Sequence, residues 1–197
     1  MSATLWVLLA VGLALVFWAV GAYNRLVRLK NAIANAFGQI DVQLKRRYDL
    51  IPNLVEVARK YLAHEAQTLE AVIAARNQAR SAEQTAAGSP LNAGALGALA
   101  GAEQMLGGAL GRLFAVAEAY PDLKADQTMR ELSEELASTE NRIGFARQAY
   151  NDHVLEFNDA AAQFPTLIIA RLFNFQTQSM LASTTSEAER QPVKVSF

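Results

Sequence analysis

The chain has 197 residues, 52% of them apolar, a formal net charge of −1 and no cysteine. That length suits one compact domain with an appendage. Without cysteine there is no disulfide, thiolate metal site or cysteine nucleophile, and the near-neutral charge offers no global field for nucleic acid. Ala and Leu dominate and few segments alternate with period two, so the expectation is an all-α fold.

Ala3 to Tyr23 carries no charged residue, and Leu5 to Val20 is almost entirely Leu, Val, Ala, Phe and Trp. About twenty such residues cross a bilayer core of roughly 30 Å. Trp6 near one end, and Trp18 and Tyr23 near the other, sit where interfacial aromatic belts fall. A cleaved signal peptide would need a basic segment before the apolar run, and none is present; Arg25, Arg28 and Lys30 follow it instead. The reading is therefore an uncleaved single-pass membrane anchor. The positive-inside rule puts its N-terminus outside and the remainder in the cytoplasm.

Beyond Asn24 the pattern becomes amphipathic without a loop. Ile33, Phe37, Ile40, Leu44, Ile51, Leu54, Ala58, Leu69 and Val72 step by threes and fours, with Tyr48 between. Pro52 costs roughly 3 kcal/mol inside a helix. A reversal there should bring turn residues, usually a Gly, and none is nearby. One kinked but continuous helix, running from Ala3 to about Arg80, is expected as the spine. The triplet Lys45, Arg46, Arg47 makes this segment basic.

Ser81 to Gly94, centred on Gly88-Ser89-Pro90, reads as the distal turn. The Gly-rich stretch from Leu91 to Ala119 contains Gly97-x-x-x-Gly101 and Gly107-x-x-x-Gly111, spacings that permit close helix contact. A second membrane span is conceivable here. The favoured reading is a thin bundle helix packed tightly on its neighbours, since each glycine costs about 1 kcal/mol against Ala. Tyr120-Pro121-Asp122 ends it, and Asp126 is a fair N-cap for an acidic helix to about Gln163. After Pro165 the apolar residues Ile168, Ile169, Leu172, Phe173 and Phe175 cap the bundle or lie on a membrane or partner surface. Residues from Thr184 onward are polar, with Val193, Val195 and Phe197 alternating as a short strand would.

The stretch Gln39 to Val57 (QIDVQLKRRYDLIPNLVEV), His64-Glu65, Thr68 to Val72, Ala75-Arg76, Ala119 to Ala125 (AYPDLKA), Thr139 to Ile143 (TENRI), Ala146-Arg147, Tyr150-Asn151, Phe157-Asn158 and Phe164-Pro165 resemble, in order, the motifs of the LemA family of bacterial membrane proteins. The resemblance covers nearly the whole chain. It implies one N-terminal anchor followed by an antiparallel bundle of four helices, and no agreed molecular activity. Phe37, Gly38 and Met129 depart from the family's usual residues in ways that look like repacking. The domains expected are an anchor over 1–23, a helical bundle over 24–182 and a polar tail over 183–197.

Candidate chemistry is sparse. His64-Glu65 and Asp152-His153 are adjacent pairs whose side chains diverge on a helix, unlike the Glu-x-x-His unit of di-iron bundles. There is no nucleophile elbow or phosphate loop, and no cofactor is implied. The polar motifs read better as a bundle network: Asp41 with Lys45, and Arg46 or Arg47 with Glu140 or Asp49. Asn53, Asn141, Arg142 and Asn151 flank it near Pro52 and the acidic helix. The rival is a docking patch at Lys45-Arg46-Arg47 for a protein or acidic lipids, although about 35 Å of helix would separate it from the bilayer. The expected function is a non-enzymatic, membrane-anchored scaffold or adaptor, possible as a homo-oligomer, with unidentified protein partners and the bilayer. An accessory subunit of a membrane protease or envelope-stress system, and a membrane-remodelling or pore-forming assembly, are the alternatives.

Overall fold

The computed structural model describes residues 3–181. The expected polar tail, and the alternation at Val193, Val195 and Phe197, lie outside those residues. The described chain is all-α, with α1 at Ala3–Arg59, α2 at Ala66–Gly88, α3 at Ala93–Ala117, α4 at Pro121–Ala125, α5 at Gln127–Ala162 and α6 at Thr166–Leu172.

At 57 residues α1 is about 85 Å long. Its first third projects alone: from Leu5 to Trp18 every large apolar side chain is exposed, with Phe17 at 75%. A helix that is apolar all round and unpacked by protein is suited to lipid, and this one is long enough to cross a bilayer. From Leu26 on, one face is buried through Ile33, Phe37, Ile40, Leu44, Tyr48, Ile51 and Leu54.

The helix runs through Pro52, but it does not reach Arg80. It stops at Arg59, and the chain reverses over 60–65 before α2 packs back on α1. Tyr61 N–H and Leu62 N–H both bond to the Ala58 carbonyl, and Glu65 N–H bonds to Leu62. Leu62 is fully buried and plugs the turn. Among the described residues Asn174 alone combines a side chain with a positive φ, and no glycine has one. The reversal therefore needs no left-handed residue, which is why no Gly marks it. Leu69 and Val72 belong to the second arm of a hairpin, where a face of the same period is buried.

This hairpin also moves the distal end. The tip is formed by 60–65 together with α4, where Tyr61 donates to Asp126 at 2.9 Å. The Ser89–Asn92 turn, expected to be distal, lies back toward the anchor beside Tyr150, whose hydroxyl reaches the Pro90 carbonyl. Asn92 caps α3 through Ala95 N–H, and Asp126 caps α5 through Met129 N–H. The bond from Met129 N–H, then that from Tyr61, holds the Asp126 carboxyl below its ordinary range.

The long helices α1, α2, α3 and α5 thus form the bundle, with α1 central: it packs on α5 and α2, and α3 packs on α2. Below the Ser89–Asn92 turn only α1 and α5 continue. Their cover comes from the C-terminal segment. Asn174, at φ 54°, ends α6 with Phe175 N–H bonded back to the Ala170 carbonyl, a helix stop that a left-handed residue permits. The following residues run up α5 as an extended strap.

Candidate functional site

Arg47 and Tyr48 sit side by side on the buried face of α1, and both reach the same carboxylate. Arg47 Nη1 lies 2.7 Å from Glu103 Oε2, and Tyr48 donates to Glu103 Oε1 at 2.6 Å. Glu103 is 3% exposed and Arg47 8% by side chain. From α5, Glu140 meets Arg47 at 2.9 Å and Arg147 approaches Glu103 at 3.9 Å. Three helices are joined through one buried carboxylate. Burial, followed by the charge and hydrogen bond of Glu103, pushes the Tyr48 hydroxyl far above its ordinary range, so it stays a donor.

A second polar cluster faces α2. Lys45 pairs with Asp41 at 2.6 Å and stands 3.8 Å from Glu83, whose side chain is 1% exposed. Both Glu83 oxygens and Asp41 Oδ1 are buried without a protein donor. A proton held between the two carboxyls resolves that arrangement. Burial, then the hydrogen bond to Asp41, raises Glu83 to about 7. Burial acts on Asp41 in the same upward sense, but the bonds from Glu83 and Lys45 outweigh it and leave Asp41 lowered.

These contacts place the residues singled out by sequence. Lys45, Arg46 and Arg47 each find a partner within the bundle: Lys45, 56% exposed, is held by Asp41; Arg46, 53% exposed, pairs with Glu135; and Arg47 is buried on Glu103 and Glu140. Asp49 is exposed with Arg76 3.9 Å away. Asn53, Asn141 and Arg142 are exposed. Asn151 leaves the charge network altogether. Its amide exchanges two hydrogen bonds with the Leu181 main chain, both 2.8 Å, and Asn158 does the same with Gln178 at 3.0 and 2.9 Å. Two turns of α5 thus grip the strap by its backbone. In the C-terminal patch Ile169 is buried and Phe175 packs on the core, whereas Ile168, Leu172 and Phe173 are exposed. Trp6 and Trp18 lie on the projecting arm of α1, and Tyr23 meets Phe173 and Phe175. Glu103 was the missed hub, although it is the sole charge between Leu91 and Leu110.

Glu103 also floors a groove. The helices α3 and α5 pack on α2 and α1 rather than on each other, which leaves a seam. One depression of about 630 Å³ is lined by Arg47, Glu103, Gln104, Gly107, Gly108, Leu110, Gly111, Phe114, Ser133, Leu136, Ala137, Glu140 and Arg147. A second, of about 370 Å³, continues it from Phe114 and Ser133 to Lys124. The expected tight packing of the glycine helix is not found. A Cβ added at Gly97, Gly101, Gly107, Gly108 or Gly111 would meet nothing within 4 Å. The helix is held by Leu96, Leu99, Leu106 and Leu113 on its other side, so its glycine face stays open.

Comparison with known proteins agrees with the motif order. A magnetosome protein, MamQ, of Magnetospirillum gryphiswaldense is 27% identical over 169 residues, 78% of this chain and 62% of that protein. The MamQ 2 protein of Paramagnetospirillum magneticum is 26% identical over 172 residues, again 62% of its length. This chain therefore spans about three-fifths of those magnetosome relatives. The LemA protein of Metamycoplasma hominis is 28% identical over 180 residues, 91% of this chain and 77% of that protein. The model of the LemA family matches residues 36–197. With its projecting apolar helix and helical bundle, this membrane-associated chain belongs to the LemA family.

Proposed function

We propose that the chain is a membrane-anchored adaptor whose seam between α3 and α5 receives an amphipathic helix of a protein partner. The observation that carries this reading is the open seam. Over Glu103 to Ala117 it is four turns of helix long, roughly 20 Å. Glycine on one wall gives a docking helix close backbone approach, while Leu110, Phe114 and Leu136 offer it apolar contact. Gln104, Ser133 and Glu140 supply a polar rim.

The reading is of a non-enzymatic role, supported by the pairing of the charges that floor the seam, Arg47 with Glu103 and Glu140. Residues 3–23 cross the bacterial inner membrane once, and Arg25, Arg28 and Lys30 favour a cytoplasmic bundle. A photoreactive residue at Gln104, irradiated in native membranes, tests the reading. A discrete adduct with another protein supports it, and a membrane protease as that protein would specify an accessory subunit. A ladder of self-adducts would overturn it in favour of a remodelling or pore-forming assembly, as would the absence of any adduct in favour of a closed structural bundle.

A further inference from the structure

The anchor fixes the height of everything that touches its end. About twenty residues of helix span the hydrocarbon core, so counting from Ala3 places Tyr23 at the headgroup level. The ring of Tyr23 lies 4.8 Å from that of Phe173 and 5.6 Å from that of Phe175, each edge to face. The short helix α6 is therefore carried at the same height, packed against α1 and α5.

Its two faces differ. Ile169 and Ala170 are buried against the bundle. On α6, Ile168 and Leu172, spaced by four, present 54% and 73% of their surface outward; Phe173, just after it, presents 54%, and Phe164, in the turn before it, 79%. Large apolar residues are also exposed elsewhere on the bundle, among them Val42, Met105, Phe145 and Leu155, but none of these is carried at the height of Tyr23 by a ring contact. From Phe164 to Leu181 there is no acidic residue, and Arg171 is exposed. Arg25, Arg28 and Lys30 are exposed on α1 just above Tyr23. Apolar and aromatic side chains beside exposed cations, level with an anchor's exit, match the chemistry of an anionic bilayer surface.

We propose that Phe164, Ile168, Leu172 and Phe173 form a second membrane contact, seated in the bilayer interface next to the point where α1 emerges. The occupant is lipid, because the patch is continuous with the segment that enters lipid. The contact rests on the reading that residues 3–23 span the bilayer. It adds a second point of attachment to the one made by the continuous helix α1 and so sets which side of the bundle faces away from the membrane. The strap that Asn158 and Asn151 hold at Gln178 and Leu181 leads off from this same surface through Phe175.

The absence of native cysteine makes the test direct. Single cysteines at Ile168, Leu172, Leu13 and Phe145, all exposed, are nitroxide-labelled in the full chain and placed in nanodiscs of mixed neutral and anionic phospholipid. Collisions with oxygen and with a water-soluble nickel chelate are then compared. The expected result is that labels at Ile168 and Leu172 favour oxygen several-fold, as at Leu13, while Phe145 favours nickel. Nickel access at Ile168 and Leu172 with Leu13 still in lipid would overturn the second contact alone. Nickel access at Leu13 as well would overturn the anchor and the contact together. Shielding of Ile168 and Leu172 from both reagents, with dipolar broadening between labels, would show a second copy there and overturn the lipid assignment.

Discussion

Arg76 Nε donates to the Tyr48 carbonyl at 2.9 Å, and Tyr48 is the residue four before Pro52. In a regular helix that carbonyl accepts from the amide at position 52, which proline lacks. The second arm of the hairpin therefore supplies the donor that the first arm is missing. Asp41 with Glu83 and Tyr48 with Arg76 are both symmetric about Leu62, so the same register that buries the carboxyl pair delivers the guanidinium.

Removing that donor should unmask the proline. Arg76→Met is expected to destabilise the full chain in detergent by about 1–3 kcal/mol, the cost of an orphaned buried carbonyl. In a Pro52→Ala background residue 52 regains its N–H, and the same Arg76→Met change should cost at least about 1 kcal/mol less. Thermal unfolding of the four proteins in the cycle measures this. Strict additivity would show that Arg76 acts through Asp49 or through packing instead.

Glu103 is the acceptor for both Arg47 and Tyr48. Glu103→Ala should cost about 3–5 kcal/mol, because Arg47 stays buried with only the half-exposed Glu140 as partner. Adding Arg47→Met removes the stranded charge and should recover much of the loss. A double variant as unstable as the sum of the two singles would contradict the account.

The carboxyl pair makes stability depend on pH. Glu83, raised from 4.5 to about 7 by burial and Asp41, keeps a proton in the folded chain that the unfolded chain releases. Its contribution is complete below pH 4.5 and is lost as pH rises toward 7, by at most roughly 3 kcal/mol. Asp41, lowered from 3.8, contributes above that value and is lost on acidification. Unfolding midpoints should therefore fall between pH 5 and 7.5 in the native chain and flatten in Glu83→Gln, which keeps a donor toward Asp41. An unchanged slope in that variant would assign the dependence to another group.

The strap should answer to its two asparagines separately from the bundle. Asn151→Ala is expected to speed amide exchange at Leu181, and Asn158→Ala at Gln178, each by removing the side-chain oxygen that accepts from that main-chain N–H. Protection in α2 and α3 should be unaffected. Exchange rates at Leu181 and Gln178 that match the native chain would mean that packing of Phe175 and Leu181 holds the strap.

Much of this was legible in the residues. The uncharged run from Ala3 to Tyr23 announced a helix apolar all round and long enough to cross a membrane, and Asp126 announced a helix start. The phase of Ile33 through Ala58 gave the buried face of α1. The hairpin was not legible, since a reversal built from negative φ values carries no glycine, and both arms bury faces of the same period. Sequence spacing showed Asn151 and Asn158 two turns apart, but their partners are main-chain groups, which have no side-chain signature. Glu103 stood out as a lone charge in an apolar helix. Its two partners on α1 could be named only once the reversal after Arg59 had set the register. The open glycine face inverted a packing expectation, because small residues permit close approach without requiring it.

The central claim is that the seam between α3 and α5 is where a partner helix docks. The variant Gly107→Leu/Gly111→Leu tests it most directly, since both positions line the groove and both have open space where a side chain would grow. Leucine in place of glycine should also raise helix stability, by about 1 kcal/mol per site. Co-purification from native membranes is compared between the native chain and this variant. The account predicts a better-folded, membrane-inserted protein that has lost the discrete partner crosslinked at Gln104. Retention of that partner at the native level with the seam filled would contradict it.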